Sequence, residues 1–314
     1  MELIRKVNKA SVASGGQLLA KGNLVAFPTE TVYGLGANAK DSRAVAKIFA
    51  AKNRPSFNPL IVHLSDKGEA YKHAVFNSSA KALVDAFWPG PLTLILPRHE
   101  RCEISPLASA GLDTVALRVP ASVDARRLIA AARKPIAAPS ANLSGRLSPT
   151  CAEHVANQLK RHVSLILDGG RCDIGLESTV IDVSDNIPVI LRPGGLPSEA
   201  IEQTIGQKLL YNTGNGTNNK SPGMLVNHYA PSLALRINAK KPRPGEVFLG
   251  FGKDAINADL NLSPTGDLLE AAANLFAYLH RLDSMPAKGI AVMPIPTETI
   301  GWAINDRLER AACR

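Results

Sequence analysis

The stretch KNRPSFNPLIVHL opens with two cations, Lys52 and Arg54, followed by an amide, Asn58, and by a histidine, His63, set in an apolar run. Arginine grips phosphate through parallel N–H donors and lysine adds a point charge, so the cluster suits a polyphosphate. Taken alone it suits a solvated helix end equally well, since cations complement the dipole there. Arg118 lies inside the apolar run TVALRV, where an arginine without an anion is an expensive buried charge. A substrate carboxylate answers that need, and so does an internal Asp or Glu. Ser140, Asn142, Ser144 and Ser148 in APSANLSGRLSPT follow the run PIAAP. Open α/β sheets bind ligands at that position, beyond the carboxyl ends of their strands, although the same residue types also build ordinary turns. In LDGGRCDIGLESTVIDV, Gly169, Gly170 and Gly175 accompany the hydroxyls of Ser178 and Thr179, and Arg192 follows in LRPGGLP. Backbone amides in glycine turns form anion nests, and hairpin turns use glycine too. The shared chemistry is recognition of an anionic ligand.

Several other chemistries are excluded. GxxxxGK[ST] is absent, so any nucleotide phosphates are not held by that loop. Gly34-Leu35-Gly36-Ala37-Asn38-Ala39 fits GxGxxA, but TETV separates it from the preceding strand candidate. Lys52, Asn53 and Arg54 stand where a dinucleotide site needs an acid. No GxSxG, HExxH or paired-carboxylate motif occurs. The four cysteines, Cys102, Cys151, Cys172 and Cys313, have no metal-ligand spacing. The N-terminus mixes charge with polar residues, and no run reaches the roughly 18 apolar residues of a membrane span; a cytoplasmic protein with no membrane partner is expected. A net charge of +9 favours anionic partners, nucleotide or RNA.

These residues need a scaffold, and the apolar pattern supplies one. LVAF (24–27), PLIVHL (59–64), PLTLIL (91–96), TVALRV (114–119), PIAAP (135–139), LILD (165–168), STVIDV (178–183) and VILR (189–192) read as strands. SRAVAKIFAAK behind an Asp41 cap, SSAKALVDAF and SVDARRLIAAA read as helices. Residues 207–232 lose the apolar period and are rich in Asn, Gly and Thr. Beyond them LALRI, VFLGFG, the helix DLLEAAANLFAYLHRL, KGIAVMPI and a last helix form a second α/β pattern. The expected organisation is a first domain over 1–206, a linker over 207–232 and a smaller domain over 233–314.

PTETVYGLG, KxRPxxNPLIVHL, FWPGPLT, ALRVP, APSANxSGxxSPT, GxESTVID, RPG and SPGMxxxHYAP occur together and in this order. The set resembles the threonylcarbamoyl-AMP synthases, the YrdC-like family, in the long form with a C-terminal accessory domain. The resemblance implies an α/β fold, a twisted open mixed sheet with a basic concave face, plus a Rossmann-like α/β C-terminal domain. It implies catalytic KxR and SxN pairs at Lys52, Arg54, Ser140 and Asn142. Thr31, His63, Arg118, the backbone around Ala138, Ser178 and Thr179 would hold L-threonine, with Arg118 on the carboxylate. Arg54, Asn58, Thr114, Ser140, Ser148 and Arg192 would hold ATP, and SPGMLVNHYAP, with His228 and Tyr229, would fold over the cleft. Leu225-Val226-Asn227 stands where many relatives are more basic or aromatic.

The implied reaction joins L-threonine, bicarbonate and ATP, with magnesium on the phosphates, and releases pyrophosphate. Its product would pass to a tRNA threonylcarbamoyl transferase, with tRNA contact an open point. Metal ligands are not assigned. The glycines of PTETVYGLG are expected to form the turn that lets the next helix bring Lys52 and Arg54 to the phosphates. The alternative is a double-stranded RNA or tRNA binding module without turnover, since a basic concave surface also suits a duplex backbone.

Overall fold

The computed structural model describes residues 2–211 and 228–313. The SPGM motif, Leu225-Val226-Asn227 and most of the expected linker lie outside the described residues. The larger domain runs β1 (Ile4–Lys6), α1 (Lys9–Ala20), β2 (Val25–Phe27), β3 (Gly34–Asn38), α2 (Ser42–Lys52), β4 (Ile61–His63), α3 (Ser78–Phe87), β5 (Leu92–Pro97), β6 (Thr114–Arg118), α4 (Val123–Ala132), β7 (Ile136–Ala137), α5 (Ala152–Leu159), β8 (Leu165–Asp168), β9 (Thr179–Asp182), β10 (Val189–Arg192), α6 (Ser198–Ile205) and β11 (Leu210–Tyr211). Its strands form one mixed sheet in the order β1-β8-β2-β3-β7-β4-β6-β5-β9-β10-β11. The smaller domain holds β12 (Ala234–Arg236), β13 (Glu246–Gly250), β14 (Leu260–Asn261), α7 (Leu268–Asp283), β15 (Gly289–Val292) and α8 (Gly301–Ala312). Its four strands are all parallel, in the order β12-β15-β13-β14.

The period-2 alternation of strand side chains divides the large sheet into two faces. Val62, Leu94, Leu96, Leu117, Ala137 and Ile181 point to one face and join the main core, which α2, α3 and α6 cover through Val45, Ile48, Leu83, Val84 and Ile201. Their neighbours Ile61, Ile95, Ala116 and Val180 point the other way and make a separate small cluster. That second face is covered unevenly. α1 and α4 seal its β8-β2-β3-β7 part, packing Leu19, Leu128 and Ile129 on Val25, Phe27, Ile136 and Leu165. The helices stop there, so the β4-β6-β5-β9 part is left as the floor of a hollow.

The expected strands and helices form with small shifts at their ends, because long apolar runs bounded by Pro, Gly and caps leave the chain few alternatives. Asp41 caps α2 as expected, accepting from Arg43 N. One expectation is corrected. Gly34 and Gly36 are not a turn but part of β3, antiparallel to β2. A Cβ on Gly36 would stand 2.9 Å from Phe27 Cε1 and 3.0 Å from Ile136 Cγ2, so the glycine admits neighbouring side chains. β1 and β11 add edge strands that the apolar pattern missed, and β11 carries the sheet past residue 206 to Tyr211.

The smaller domain does not bury its apolar surface alone. Val32, Leu147, Leu176 and Tyr229 of the other part of the chain join the cluster formed by Leu275, Phe276, Leu279, Ile304 and Leu308. It therefore packs against the rim of the hollow.

Candidate active site

The hollow narrows to a cavity lined by Thr31, Arg54, His63, Arg118, Ala138 and Ser140 together with Ser178, Arg192, His228 and Tyr229, all named from sequence. Thr29, Val32, Gly34, Ile61, Pro139 and Glu177 complete its wall. Its free space is about 40 Å³, room for about three waters at roughly 10–15 Å³ each.

β4 and β6 run parallel in register, Ile61 against Ala116 and His63 against Arg118, so His63 and Arg118 project side by side from the carboxyl ends of their strands. Arg118 is almost fully buried and already has an anion: Nη2 donates to Glu30 Oε1 at 2.5 Å and to Thr31 Oγ1 at 3.0 Å. Its Nε donates to Gly90 O at 3.2 Å, which leaves Nη1 for a ligand. Of the two partners the sequence allowed, the internal acid is present, and Glu30 was legible only as an acid inside PTETVYGLG. Burial opposes the Glu30 charge, but Arg118 outweighs it and holds the carboxyl below its usual range. Burial, reinforced by Arg118, pushes His63 down to about 3, so its ring is neutral at pH 7; its Nδ1 is buried without a partner among the described residues.

Arg54 and Arg192 add further charge to the cavity wall. Arg54 donates through Nε to Asn58 O and through Nη2 to Pro59 O, which pins the guanidinium over the turn after α2. Burial, with Arg192 nearby, lowers it to about 9, which leaves it charged at pH 7. Arg192 donates through Nε and Nη2 to Ser178 O. Glu177, also on the wall, accepts from Ser148 Oγ at 2.5 Å and from Arg307 Nε at 2.8 Å. Burial would raise its pKa, but Arg307 and Arg192 take it down to about 2.

Six residues named from sequence lie off the cavity wall. Lys52, the last residue of α2, turns inward rather than toward the cavity. Its Nζ donates to Ser140 O at 2.5 Å and Asn142 O at 2.5 Å, so it is a clamp under the loop that presents Ser140. Asn142 likewise spends its amide on Leu143 O and Arg146 O, and Ser148 reaches the cavity only through Glu177. Thr179 cannot share a face with Ser178, since successive strand residues alternate. Its hydroxyl donates to Leu196 O at 2.7 Å and accepts from Leu196 N at 3.0 Å. Asn58 and Thr114 lie outside the cavity wall, at the amino ends of β4 and β6, whereas His63 and Arg118 stand at the carboxyl ends. The four steps from Thr114 to Arg118 span about 13 Å at roughly 3.3 Å each.

The placement of Thr179 has a direct check. Thr179→Val keeps the side-chain shape and abandons the two bonds to Leu196; stability to urea is expected to fall by about 1–3 kcal/mol, with threonine kinetics unchanged. A raised KM for threonine would return Thr179 to the site.

The same architecture is found in solved proteins. A family model described as telomere recombination matches residues 17–194, and one described as threonylcarbamoyl-AMP synthase, C-terminal domain, matches residues 196–313. The threonylcarbamoyl-AMP synthase of Pyrococcus abyssi is 41% identical over 97% of this chain and 94% of its own. The chain belongs to the threonylcarbamoyl-AMP synthases. The synthase of Bacillus subtilis, a second member, is 42% identical over the same shares. The crystal structure of P. abyssi Sua5 complexed with L-threonine superposes with a TM-score of 0.90 at 39% identity, covering 99% of this chain and 96% of that one. Among the described residues no helix is long and apolar enough to cross a membrane.

Within this synthase fold, protonation bears on stability. Burial takes His63, His154 and His228 each to about 3. His154 stacks on His280 at 3.8 Å where the smaller domain meets the larger one. An unfolded histidine takes up its proton near 6.5, so the unfolded state binds more protons between pH 6.5 and 3 and stability falls as pH drops through that window. Glu30 and Glu177, with lowered values, add losses only below about 4.5. Urea unfolding is expected to lose about 2–4 kcal/mol between pH 7.5 and 5.5 at up to 1.36 kcal/mol per unit for each histidine. A flat profile there would show that these rings take protons while folded.

Proposed function

We propose that the chain is an L-threonylcarbamoyladenylate synthase that joins L-threonine, bicarbonate and ATP and releases pyrophosphate, and that its product feeds tRNA threonylcarbamoyladenosine formation through a separate transferase. The carrying observation is the convergence of three buried arginines, Arg54, Arg118 and Arg192, on one cavity whose two histidines are neutral. Such a wall binds anions.

The threonine amine condenses with bicarbonate, losing water, to give a carbamate. A carbamate oxygen then attacks the α-phosphorus of ATP, and the bond to the pyrophosphate oxygen breaks. Arg118 Nη1, beside Thr31 and His63, takes the threonine carboxylate. Arg54 and Arg192 face the phosphates, where fixed cationic charge stabilises the developing negative charge without reorganisation. Lys52 and Asn142 act one step back, fixing the loop that places Ser140. Catalysis rests on alignment of the carbamate with phosphorus, a contribution that reaches about 7–11 kcal/mol in well-oriented systems. Substrates that fill the hollow displace its water, which protects a mixed anhydride from hydrolysis.

Magnesium enters with ATP as part of the substrate. Among the described residues no cluster of three His, Cys, Asp or Glu side chains stands ready for a metal, and the carboxylates at the site, Glu30 and Glu177, are both engaged by arginine. Magnesium held chiefly by phosphates and water fits such a site. The RNA-binding alternative finds no support here, since a duplex does not reach buried arginines.

The test is incubation of the full-length protein with labelled bicarbonate, L-threonine, ATP and magnesium. Threonine-dependent pyrophosphate with a labelled adenylate is expected; duplex binding with no such product would replace this reading by the alternative.

A further inference from the structure

The smaller domain meets the site through α7, whose Phe276 packs on Tyr229, and through α8. On α8, Trp302 packs edge-on against Tyr211 with ring centroids 4.8 Å apart. Five residues on, Arg307 is about 1% exposed and lies among groups of the larger domain. Its Nε donates to Glu177 Oε2 at 2.8 Å and its Nη2 to Pro193 O at 2.8 Å, while Nη1 is held by the carboxylate of neighbouring Asp306. The guanidinium carbon also lies 5.0 Å from the centroid of the Tyr229 ring.

Every group Arg307 touches in the larger domain belongs to the cavity wall or adjoins it. Glu177 and Tyr229 line the cavity, Pro193 follows Arg192, and the second oxygen of Glu177 orients Ser148. A bare carboxylate at Glu177 would repel a triphosphate and draw Arg192 to itself, cancelling the charge a phosphate needs. Arg307 neutralises it from behind, which leaves the positive potential of Arg54 and Arg192 directed into the cavity.

We propose that Arg307, from the C-terminal domain, is a positioning residue for the nucleotide half of the site, acting through Glu177 and the Arg192-Pro193 turn, so that the site is incomplete without the second domain. This rests on the synthase reading for the identity of the anionic ligand, a nucleoside triphosphate.

The test uses full-length Arg307→Met, Arg307→Lys, Glu177→Gln and the double variant Arg307→Met/Glu177→Gln. ATP and L-threonine dissociation constants come from titration calorimetry, and KM values from pyrophosphate release. Arg307→Met is expected to weaken ATP at least tenfold while threonine stays within about twofold. The double variant should return ATP to within about threefold of Glu177→Gln alone, because no unpaired carboxylate remains. If Arg307→Met does not fold, Arg307→Lys replaces it. Lysine keeps the charge but cannot span Glu177 and Pro193, so a smaller loss confined to ATP is expected. Equal losses for both ligands, a lowered melting temperature with unchanged constants, or tighter ATP binding would each overturn the proposal. Wild-type protein that binds ATP but forms no threonine-dependent pyrophosphate would reject the reaction instead, and the binding constants would still decide the role of Arg307.

Discussion

Arg118→Ala is expected to raise the KM for L-threonine ten- to a hundredfold and to leave the KM for ATP within about twofold. The magnitude follows from one charge-assisted hydrogen bond, about 1.5–3 kcal/mol, at 1.36 kcal/mol per decade. The substitution has a second cost. Glu30 is 8% exposed and bonded to Arg118 at 2.5 Å, so alanine leaves a buried carboxylate unpaired, at a cost of about 3–5 kcal/mol. Adding Glu30→Gln should therefore restore much of the stability and none of the threonine affinity. That separation distinguishes a ligand-binding arginine from a purely structural ion pair. Steady-state rates with each substrate varied, together with urea unfolding of the single and double variants, supply the measurements. Unchanged threonine kinetics in Arg118→Ala would remove it from the substrate site.

The second large effect is expected at a residue with no side chain. A Cβ on Gly194 would stand 2.3 Å from Glu177 O and 2.5 Å from both Ser178 C and Thr179 N. All three are backbone atoms, so no rotamer change relieves the clash. The two segments are joined by Gly195 N donating to Glu177 O at 2.9 Å and by Arg192 donating to Ser178 O. Gly194→Ala must push them apart, moving Glu177, Ser178 and Arg192 together. Overpacking costs about 1–3 kcal/mol and more where nothing yields, so a loss of about 3–5 kcal/mol is expected, a fall in melting temperature of roughly 10 °C. Pyrophosphate release should drop more than tenfold even at temperatures where the variant stays folded. Near-wild-type activity would mean that this turn tolerates displacement and does not fix Arg192.

Arg118 and Gly194 show how differently parts of the site could be read in advance. An arginine inside an apolar strand is visible as a charge that needs an anion, whatever the fold. The closeness of the RPGG turn to GLESTV is invisible until β9 and β10 are paired. Thr179 lies between these cases: strand alternation alone forbids it from sharing the face of Ser178, so the signal was present in STVIDV. Lys52 carried no such signal, since a helix-terminal lysine is free to face phosphate or a buried loop until the loop's position is known.

By itself, then, the sequence determined eight of the eleven strands and three of the six helices of the larger domain, the second α/β unit and an anion-binding chemistry rich in arginine and serine. It could do so because apolar periodicity and residue chemistry are local properties. Only the tertiary structure decided which partner each charge finds. Glu30 meets Arg118 across 88 residues, Arg307 meets Glu177 across 130, and Lys52 meets Ser140 across 88. It likewise decided where the site lies, because α1 and α4 cover only part of one sheet face. The physical reason is common to these cases: a buried charge is stabilised by whichever group packing brings within hydrogen-bonding distance, and packing depends on strand order and register rather than on sequence neighbours.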